Sequence, residues 1–453
     1  MYKVTKGTKS FLYLVMVFVL IVMTACSAKE SANEAPAPAA TESQAELEEK
    51  PAPEKVEIRY SFWGLPEEIE VQEKLKAKFE ELNPHITVKL EHIAADYFPT
   101  LLTQIAGGNP SDVFYIGEAT VQGLVDKGAL LDLMPYAKTD NLDFSAYYPS
   151  IFKAVGQDDG NLWAFPKDAT PYMVYYNKDL YDKAKIAYPT PDWTWADFEE
   201  KARALTIKDD NGKTTQYGFA QDLWWGPTIT AIYKNGGSIM TDDAKKFTFD
   251  DPAVVAALNW FKDLMYKNGG VSPTPDGLQG MGVGNTDIYN SQKAAMLSGG
   301  RWIAFFTKPL KANWGVVPFP KASKDAVDAK SPLFFVTLAV PQTTKHPKEA
   351  WEFIKFVTSE EGQRINAATG LGLPVLKAVA EEGKWLLPNE SNDHIRIYLD
   401  EMNNTRNFPF HSQWSKTMDE IFPKEMDEGY RNKQSMEQAA KNVVEKGNAE
   451  LAK

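Results

Sequence analysis

Cys26 is the only cysteine in this 453-residue chain, and this limits how the folded chain can be held together. A single thiol cannot form an intrachain disulfide, and it cannot supply the clustered cysteines of a structural zinc site. A chain of this length buries most of its surface on folding and usually divides into more than one domain. The sequence therefore predicts a fold stabilised by its hydrophobic core alone.

The stretch before Cys26 has the pattern of a secretory signal. Three lysines lie within the first nine residues, residues 11–23 form an apolar run, and small residues precede the cysteine. A membrane-spanning helix needs about 20 apolar residues, more than this run provides. The cysteine and its small neighbours resemble the lipobox of bacterial lipoproteins, in which the thiol is diacylated, although Met23 stands where that motif usually has leucine. We therefore expect residues 1–25 to be a lipoprotein signal peptide; a buried first helix is the alternative.

Residues 26–55 are rich in Ala, Pro, Glu and Ser and contain almost no bulky apolar side chain. Such a composition cannot bury enough surface to fold. We expect a disordered tether that would hold the folded body away from a membrane.

From Val56 onward, the hydrophobic pattern alternates between strand and helix. Residues 56–62 and 86–90 alternate apolar and polar side chains, as in half-buried strands. Apolar residues recur at helical spacing from Pro66 to Leu82, and residues 113–116 form an apolar run typical of a buried parallel strand. This order predicts an α/β fold. The middle third and the end of the chain are predicted to be mostly helical.

Several classes of function lack their signatures. The five histidines are scattered and show no metal-ligand spacing, and the sequence has no GxSxG, P-loop or GxGxxG motif. Removal of the signal's three lysines lowers the basic residues from 49 to 46 against 61 acidic ones, a net charge of about −15. This charge argues against binding to nucleic acid or to an anionic membrane surface. We expect no metal and no cofactor.

The aromatic residues are the candidates for ligand binding. The chain has 12 tryptophans, and several of them fall at turns and strand ends. A tryptophan offers a flat apolar face beside a polar edge, which suits the apolar face and hydroxyl rim of a sugar ring. For any single tryptophan, core packing is the alternative, and Trp260 and Trp351 are assigned to packing because they lie within predicted helices.

Seven stretches together resemble the family 1 extracellular solute-binding proteins of ABC importers, the sugar-binding lipoprotein type that includes maltose-binding proteins. They occur in the family's order and span nearly all of the chain from Val56. They are residues 108–119 (GNPSDVFYIGEA), 128–136 (GALLDLMPY), 166–180 (PKDATPYMVYYNKDL), 194–198 (TWADF), 216–220 (QYGFA), 293–302 (KAAMLSGGRW) and 346–363 (HPKEAWEFIKFVTSEEGQ).

The resemblance implies a two-lobe periplasmic-binding-protein fold with a hinged cleft and a helix-rich second lobe. The chain would cross between the lobes near residues 168–171, near residues 317–321 and near Gly370. The implied N-terminal lobe is residues 56–166 and 322–369, and the implied C-terminal lobe is residues 167–321 and 370–453. An open α/β sheet by itself also places its ligand at the carboxyl ends of the strands.

The resemblance also implies a set of ligand contacts. Aromatic rings would stack on sugar rings, and ionised carboxylates would accept hydrogen bonds from hydroxyls. The implied contacts are Trp63, Glu118, Asp168, Thr170, Tyr172, Trp224, Trp225, Trp302 and Trp414. Tyr115 is either a further contact or a core residue. Arg301 replaces a proline common in the family; we expect it to pair with a surface carboxylate, the alternative being recognition of an acidic sugar.

The function that follows from the resemblance is capture of a carbohydrate, in particular an oligosaccharide, and its delivery to ABC permease subunits and their ATPase. The protein would be a monomer, anchored by lipid on the extracytoplasmic side of the cell membrane, and would not be an enzyme. Two alternatives remain open: an exported carbohydrate-active enzyme with two catalytic carboxylates, and a binding protein for another solute, such as a polyamine or a metal chelate.

Overall fold

The structure is a computed structural model that describes residues 54–307, 310, 312–388, 390–409, 411 and 413–453. The predicted signal peptide, and all of the predicted tether except residues 54 and 55, lie outside these residues. Of the helices in the described ranges, none is long and apolar enough to cross a membrane.

The strands lie in two parts of the chain, residues 56–216 and residues 296–406. They are β1 Val56–Phe62, β2 Ile86–His92, β3 Val113–Gly117, β4 Phe165–Pro171, β5 Met173–Asn177, β6 Ile207–Lys208, β7 Thr214–Gln216, β8 Met296–Gly299, β9 Trp314–Pro318, β10 Ser331–Ala339, β11 Leu373–Pro374 and β12 Thr405–Arg406.

Helices alternate with the early strands and dominate the middle and the end of the chain. They are α1 Pro66–Leu82, α2 Tyr97–Ala106, α3 Glu118–Val125, α4 Met134–Thr139, α5 Pro149–Lys153, α6 Lys178–Ala184, α7 Trp195–Ala204, α8 Trp225–Lys234, α9 Pro252–Tyr266, α10 Pro275–Met281, α11 Asn285–Asn290, α12 Trp302–Phe306, α13 Pro347–Val357, α14 Glu360–Ala367, α15 Lys377–Glu381, α16 Asp393–Met402, α17 Phe422–Tyr430 and α18 Met436–Leu451.

The larger sheet is mixed, in the order β11-β4-β10-β3-β1-β2, with β12 paired to β10. Strands β1, β2 and β3 run parallel, as the alternating pattern predicts, and β10 runs antiparallel to both β3 and β4. The smaller sheet, β8-β5-β9, is antiparallel. Because β1 and β3 are parallel, their carboxyl ends lie at the same edge of the larger sheet. The residues that follow them, Trp63 and Glu118, are thereby brought to that edge.

Two hydrophobic cores pack against these sheets. The first surrounds the larger sheet and includes Tyr60, Phe114 and Leu338. The second is formed mostly by helices, α8, α9, α17 and α18 among them. Trp385 packs in the first core, although the predicted boundary assigns residues 370–453 to the C-terminal lobe. The lobe boundaries therefore stay a prediction.

Helix α1 shows how the local pattern is converted into packing. It begins at Pro66, whose missing N–H costs nothing in the first turn. Val71, Leu75 and Phe79 are buried on one face, as their spacing predicts. Leu82, the last apolar residue of the same pattern, is half exposed at 52%. The prediction of this helix is confirmed, but its buried stripe ends one turn early.

Candidate functional site

A cavity of about 500 Å³ opens at the carboxyl edge of β1 and β3. Five of the nine predicted contact residues line it: Trp63, Glu118, Asp168, Thr170 and Trp302. The structure thus brings together residues that are up to 239 positions apart in the chain. Their contact with a solute stays a prediction.

Aromatic rings form one wall of this cavity around Trp63. The Trp63 ring lies 5.0 Å from Tyr97, 5.4 Å from Phe98 and 5.2 Å from Tyr115, measured between centroids. Tyr115 is 1% exposed and belongs to the first core; it also lines the cavity, and its contact with a solute stays a prediction. Packing against three rings restrains the half-buried Trp63 ring and leaves part of its surface accessible.

A second aromatic wall is centred on Phe334, which also lines the cavity. Trp302 packs on Phe334 at 5.7 Å, nearly perpendicular to it. Trp225 stacks on the same ring at 5.8 Å, and Trp224 meets it edge-on at 5.7 Å. Trp224 and Trp225 do not line the cavity, so in this conformation they support Phe334 instead of facing a solute.

Tyr172 and Trp414 have no exposed surface and pack in the second core. A side chain with no accessible surface cannot contact a solute in this conformation. A regular strand would place residues 170 and 172 on the same face, but β4 ends at Pro171, and Tyr172 lies beyond it and does not follow Thr170 into the cavity. For these two residues the expectation of direct contact gives way to a packing role.

Glu118 is the most buried acid of the cavity. It is the first residue of α3, and its Oε2 accepts a hydrogen bond from the backbone N–H of Phe335 at 3.2 Å. Burial raises the pKa of Glu118 to about 7; backbone N–H groups oppose this shift, and the charge of Asp168 adds to it. Near neutral pH this carboxyl group can therefore either accept or donate a hydrogen bond.

Lys167 is a cavity residue that the sequence analysis missed. Its ammonium group is paired with Asp168 and lies 4.8 Å from the centroid of the Tyr115 ring. Burial alone would lower the pKa of Lys167, but the charges of Asp168 and Glu68 outweigh this effect and raise it. The lysine thus stays charged although it is only 5% exposed.

A break in the strand register explains why both Lys167 and Asp168 reach the cavity. Neighbouring side chains of a regular strand point to opposite faces. Between β4 and β10, however, Val336 is opposite Asp168 while Thr337 is opposite Pro166, so Lys167 is the extra residue of a bulge. The carbonyl oxygen of Lys167 accepts a hydrogen bond from the Gln363 side chain at 2.8 Å. No pattern within residues 166–171 indicates this bulge.

Arg301 corrects a prediction. We expected it to pair with a surface carboxylate, but its side chain is completely buried. Its guanidinium group is paired with both oxygens of Glu390, whose side chain is also buried. Arg301 does not line the cavity, so this conformation offers no support for recognition of an acidic sugar by this residue.

The cavity therefore combines two aromatic walls with three carboxyl groups, those of Glu68, Glu118 and Asp168, and one ammonium group. Aromatic faces bind apolar ring faces, and the charged groups bind hydroxyls or amines. Within the described parts of the chain, no cluster of three or more His, Cys, Asp or Glu side chains is arranged to hold a metal ion.

Comparison with known proteins identifies the family. The family model described as bacterial extracellular solute-binding protein matches residues 66–364. The chain belongs to this family. One relative is an Escherichia coli protein that is provisionally named an ABC transporter periplasmic-binding protein. It is 25% identical to this solute-binding protein over 336 residues, which cover 71% of this chain and 73% of the relative.

Solved structures of ABC substrate-binding and sugar-binding proteins have the same fold. The ABC substrate-binding protein Lmo0181 of Listeria monocytogenes, solved with cycloalternan, matches with a TM-score of 0.77 and 27% identity, covering 88% of this chain and 100% of the other. Maltose-bound MalE3 of T. maritima matches with a TM-score of 0.71 and 21% identity, covering 86% and 98%. The predicted periplasmic-binding-protein fold is confirmed, and the chain is the solute-binding component of an ABC transporter, from a family whose members are not enzymes.

Proposed function

We propose that this solute-binding protein captures a carbohydrate, in particular an oligosaccharide, in the cavity between Trp63 and Trp302 and delivers it to an ABC importer. The observation that carries the proposal is the pair of aromatic walls facing a space lined by acceptor and donor groups. The related structures that hold cycloalternan and maltose support the same class of ligand.

The chemistry of the cavity favours neutral hydroxyl-rich rings. A sugar ring can place its C–H face on Trp63 or Trp302, where burial of apolar surface is favourable. Its rim hydroxyls can donate to Asp168 and accept from Lys167, whose ammonium group has three donors. Glu118, with a pKa of about 7, can serve as donor or acceptor. A cavity of about 500 Å³ lies within the size range of small-molecule sites.

Closure of the proposed lobes would complete the site. In the predicted division, Trp63 and Glu118 belong to the N-terminal lobe, and Trp302 belongs to the C-terminal lobe. A ligand that contacts both lobes shifts the population towards the closed form, because only that form makes both sets of contacts. The closed form is what the permease subunits would recognise, with the protein acting as a monomer and no bond of the solute broken.

Calorimetric titration and thermal shift of residues 54–453 with maltose, longer maltodextrins, mannobiose, glucuronate and spermidine test the proposal. We expect one neutral oligosaccharide to bind and to raise the Tm with concentration, since it binds only the folded state. Light scattering of the same sample should give the mass of one chain.

Three other outcomes of these measurements would contradict parts of the proposal. Binding of spermidine but of no sugar would show that the three carboxyl groups select a polycation, and the carbohydrate proposal would be wrong. Release of reducing ends from the bound oligosaccharide would show hydrolysis and would overturn the non-enzymatic function. A dimer mass would contradict the proposed monomer.

We also propose that Cys26 carries the lipid anchor on the extracytoplasmic side of the cell membrane. The support is the apolar run and the small residues before this cysteine. Replacement Cys26→Ser in the full chain should abolish incorporation of radiolabelled palmitate and move the protein from the membrane fraction to the medium or periplasm. The matched control is Ser27→Ala, which should leave both unchanged. Labelling that persists in Cys26→Ser would contradict the proposal.

A further inference from the structure

Arg301 lies at the centre of a buried polar network outside the cavity. Its guanidinium group lies 4.8 Å from the Trp385 ring and 5.1 Å from the Tyr398 ring, and it donates to the carbonyl oxygen of Trp385 at 3.2 Å. Both carboxylate oxygens of Glu390 accept from it. Glu390 is itself held by His394 Nδ1 at 3.1 Å. The fork of an arginine fits such a two-point contact, and a lysine cannot reproduce it.

The backbone of Arg301 links this network to the cavity wall. Its N–H donates to Thr170 Oγ1 at 2.8 Å, and the next residue along the chain is Trp302; both Thr170 and Trp302 line the cavity. The preceding carbonyl oxygen, that of Gly300, accepts from the Tyr175 hydroxyl at 2.8 Å. The Gly300–Arg301 peptide that leads into Trp302 is therefore hydrogen-bonded at both its carbonyl oxygen and its N–H group.

Gly300 makes room for the Trp302 ring. A Cβ atom at position 300 would lie 2.2 Å from Cζ3 of Trp302, far inside normal contact. The indole ring therefore folds back over the glycine, and its orientation depends on the path of the turn between residues 299 and 302.

We propose that Arg301 and Glu390 are positioning residues that set the orientation of Trp302 and the hydroxyl of Thr170 at the wall of the solute cavity. This inference rests on the proposed function for its effect on affinity. Neither residue of the pair lines the cavity. The pair acts through the turn, since Arg301 shares its backbone with Trp302 and bonds to Thr170.

A second buried ion pair provides a matched control. Lys234 and Glu401 are 1% and 5% exposed, and Nζ of Lys234 lies 2.6 Å from Oε1 of Glu401. Among the described residues that line the cavity, neither is present. Loss of this pair should lower stability without moving Trp302, which separates a positioning role from a general contribution to the core.

The first test needs no ligand. With 5-fluorotryptophan in place of the 12 tryptophans, the ¹⁹F resonance of Trp302 can be assigned from its loss in Trp302→Phe. We expect Arg301→Lys to shift or broaden this resonance, and Lys234→Met to leave it in place. An unchanged Trp302 resonance in Arg301→Lys would overturn the proposal, whether or not the solute is a carbohydrate. Should Arg301→Lys fail to fold, Glu390→Gln, which removes the charge but keeps one acceptor, gives the same test.

The second test measures the affinity for the oligosaccharide that the native protein binds, at a temperature where all variants are folded. We expect Arg301→Lys to weaken binding by about tenfold, which corresponds to ~1.4 kcal/mol. Lys234→Met should bind like the native protein despite its lower Tm. When it is added to Trp302→Phe, Arg301→Lys should weaken binding by a further factor of less than about two, because both changes act through the Trp302 side chain.

These outcomes separate the two proposals. If the double variant lost as much affinity as the two single variants Arg301→Lys and Trp302→Phe together, the result would contradict a role of Arg301 through Trp302. Native affinity of Arg301→Lys would contradict any positioning role. Absence of carbohydrate binding by the native protein would refute the proposed function, and the fluorine resonance would then decide the positioning role alone.

Discussion

Replacement Trp63→Ala should weaken oligosaccharide binding by about 50- to 100-fold, or ~2.5 kcal/mol, in a calorimetric titration. Trp63 follows β1 directly and presents a partly exposed ring at the cavity wall. Truncation removes the apolar face on which a sugar ring would stack. It also removes the ring contacts that order Tyr97 and Phe98, so the wall itself would become less well defined.

The control for this variant is Trp195→Ala. Trp195 is also half-buried, and its ring stacks on Trp260 at 4.3 Å, but it does not line the cavity. It should lower the Tm by a comparable amount and leave the affinity unchanged. Equal losses of affinity in both variants would show that the effect of Trp63→Ala is a general loss of stability, and native affinity in Trp63→Ala would remove this residue from the site.

The early part of the fold could be predicted from periodicity because it is local. Strands β1, β2 and β3 and helix α1 follow from alternating and helical spacing within short windows. The antiparallel position of β10 between β3 and β4 could not be predicted in this way, because it depends on pairing across more than 160 residues. For the two-lobe fold, the order of the seven matching stretches carried the information.

The site was predictable where a residue directly follows a strand, as Trp63 and Glu118 do, since parallel strands end at one edge. It was not predictable where the local backbone departs from regularity: Lys167 enters the cavity only because of the bulge in β4. Tyr172 and Trp414 show the opposite limit. An aromatic side chain can either stack on a sugar ring or pack in a hydrophobic core. Only the tertiary packing determines which of these two roles it has.

The Arg301–Glu390 pair could not be predicted from the sequence for a different reason. Its members are 89 positions apart, and a charged residue is normally exposed. An arginine next to a cavity tryptophan therefore favoured a surface pair. Burial of such a charge requires a partner and further hydrogen bonds, which Glu390 and the Trp385 carbonyl supply together.

The largest loss of stability is expected from Lys234→Met, about 3–4 kcal/mol in urea denaturation at pH 8, because this change leaves the buried Glu401 carboxylate without its cation. Burial already raises the pKa of Glu401 in the native protein, and the charge of Lys234 opposes that rise. Without the lysine, the folded-state pKa should rise further above the unfolded value. Between these two values the folded state binds more protons than the unfolded state, so stability falls as the pH increases.

The loss of unfolding free energy in Lys234→Met, relative to the native protein, should therefore be smaller at pH 5 than at pH 8. At pH 8 the folded variant must keep an ionised Glu401 buried, which costs free energy. The double replacement Lys234→Met/Glu401→Leu removes both charges and should recover most of the loss, since a buried ion pair and an apolar pair of similar volume are often nearly equal in stability. A deficit that is independent of pH, or a double variant no more stable than the single one, would show that the loss comes from packing of the lysine stem and not from an unpaired charge.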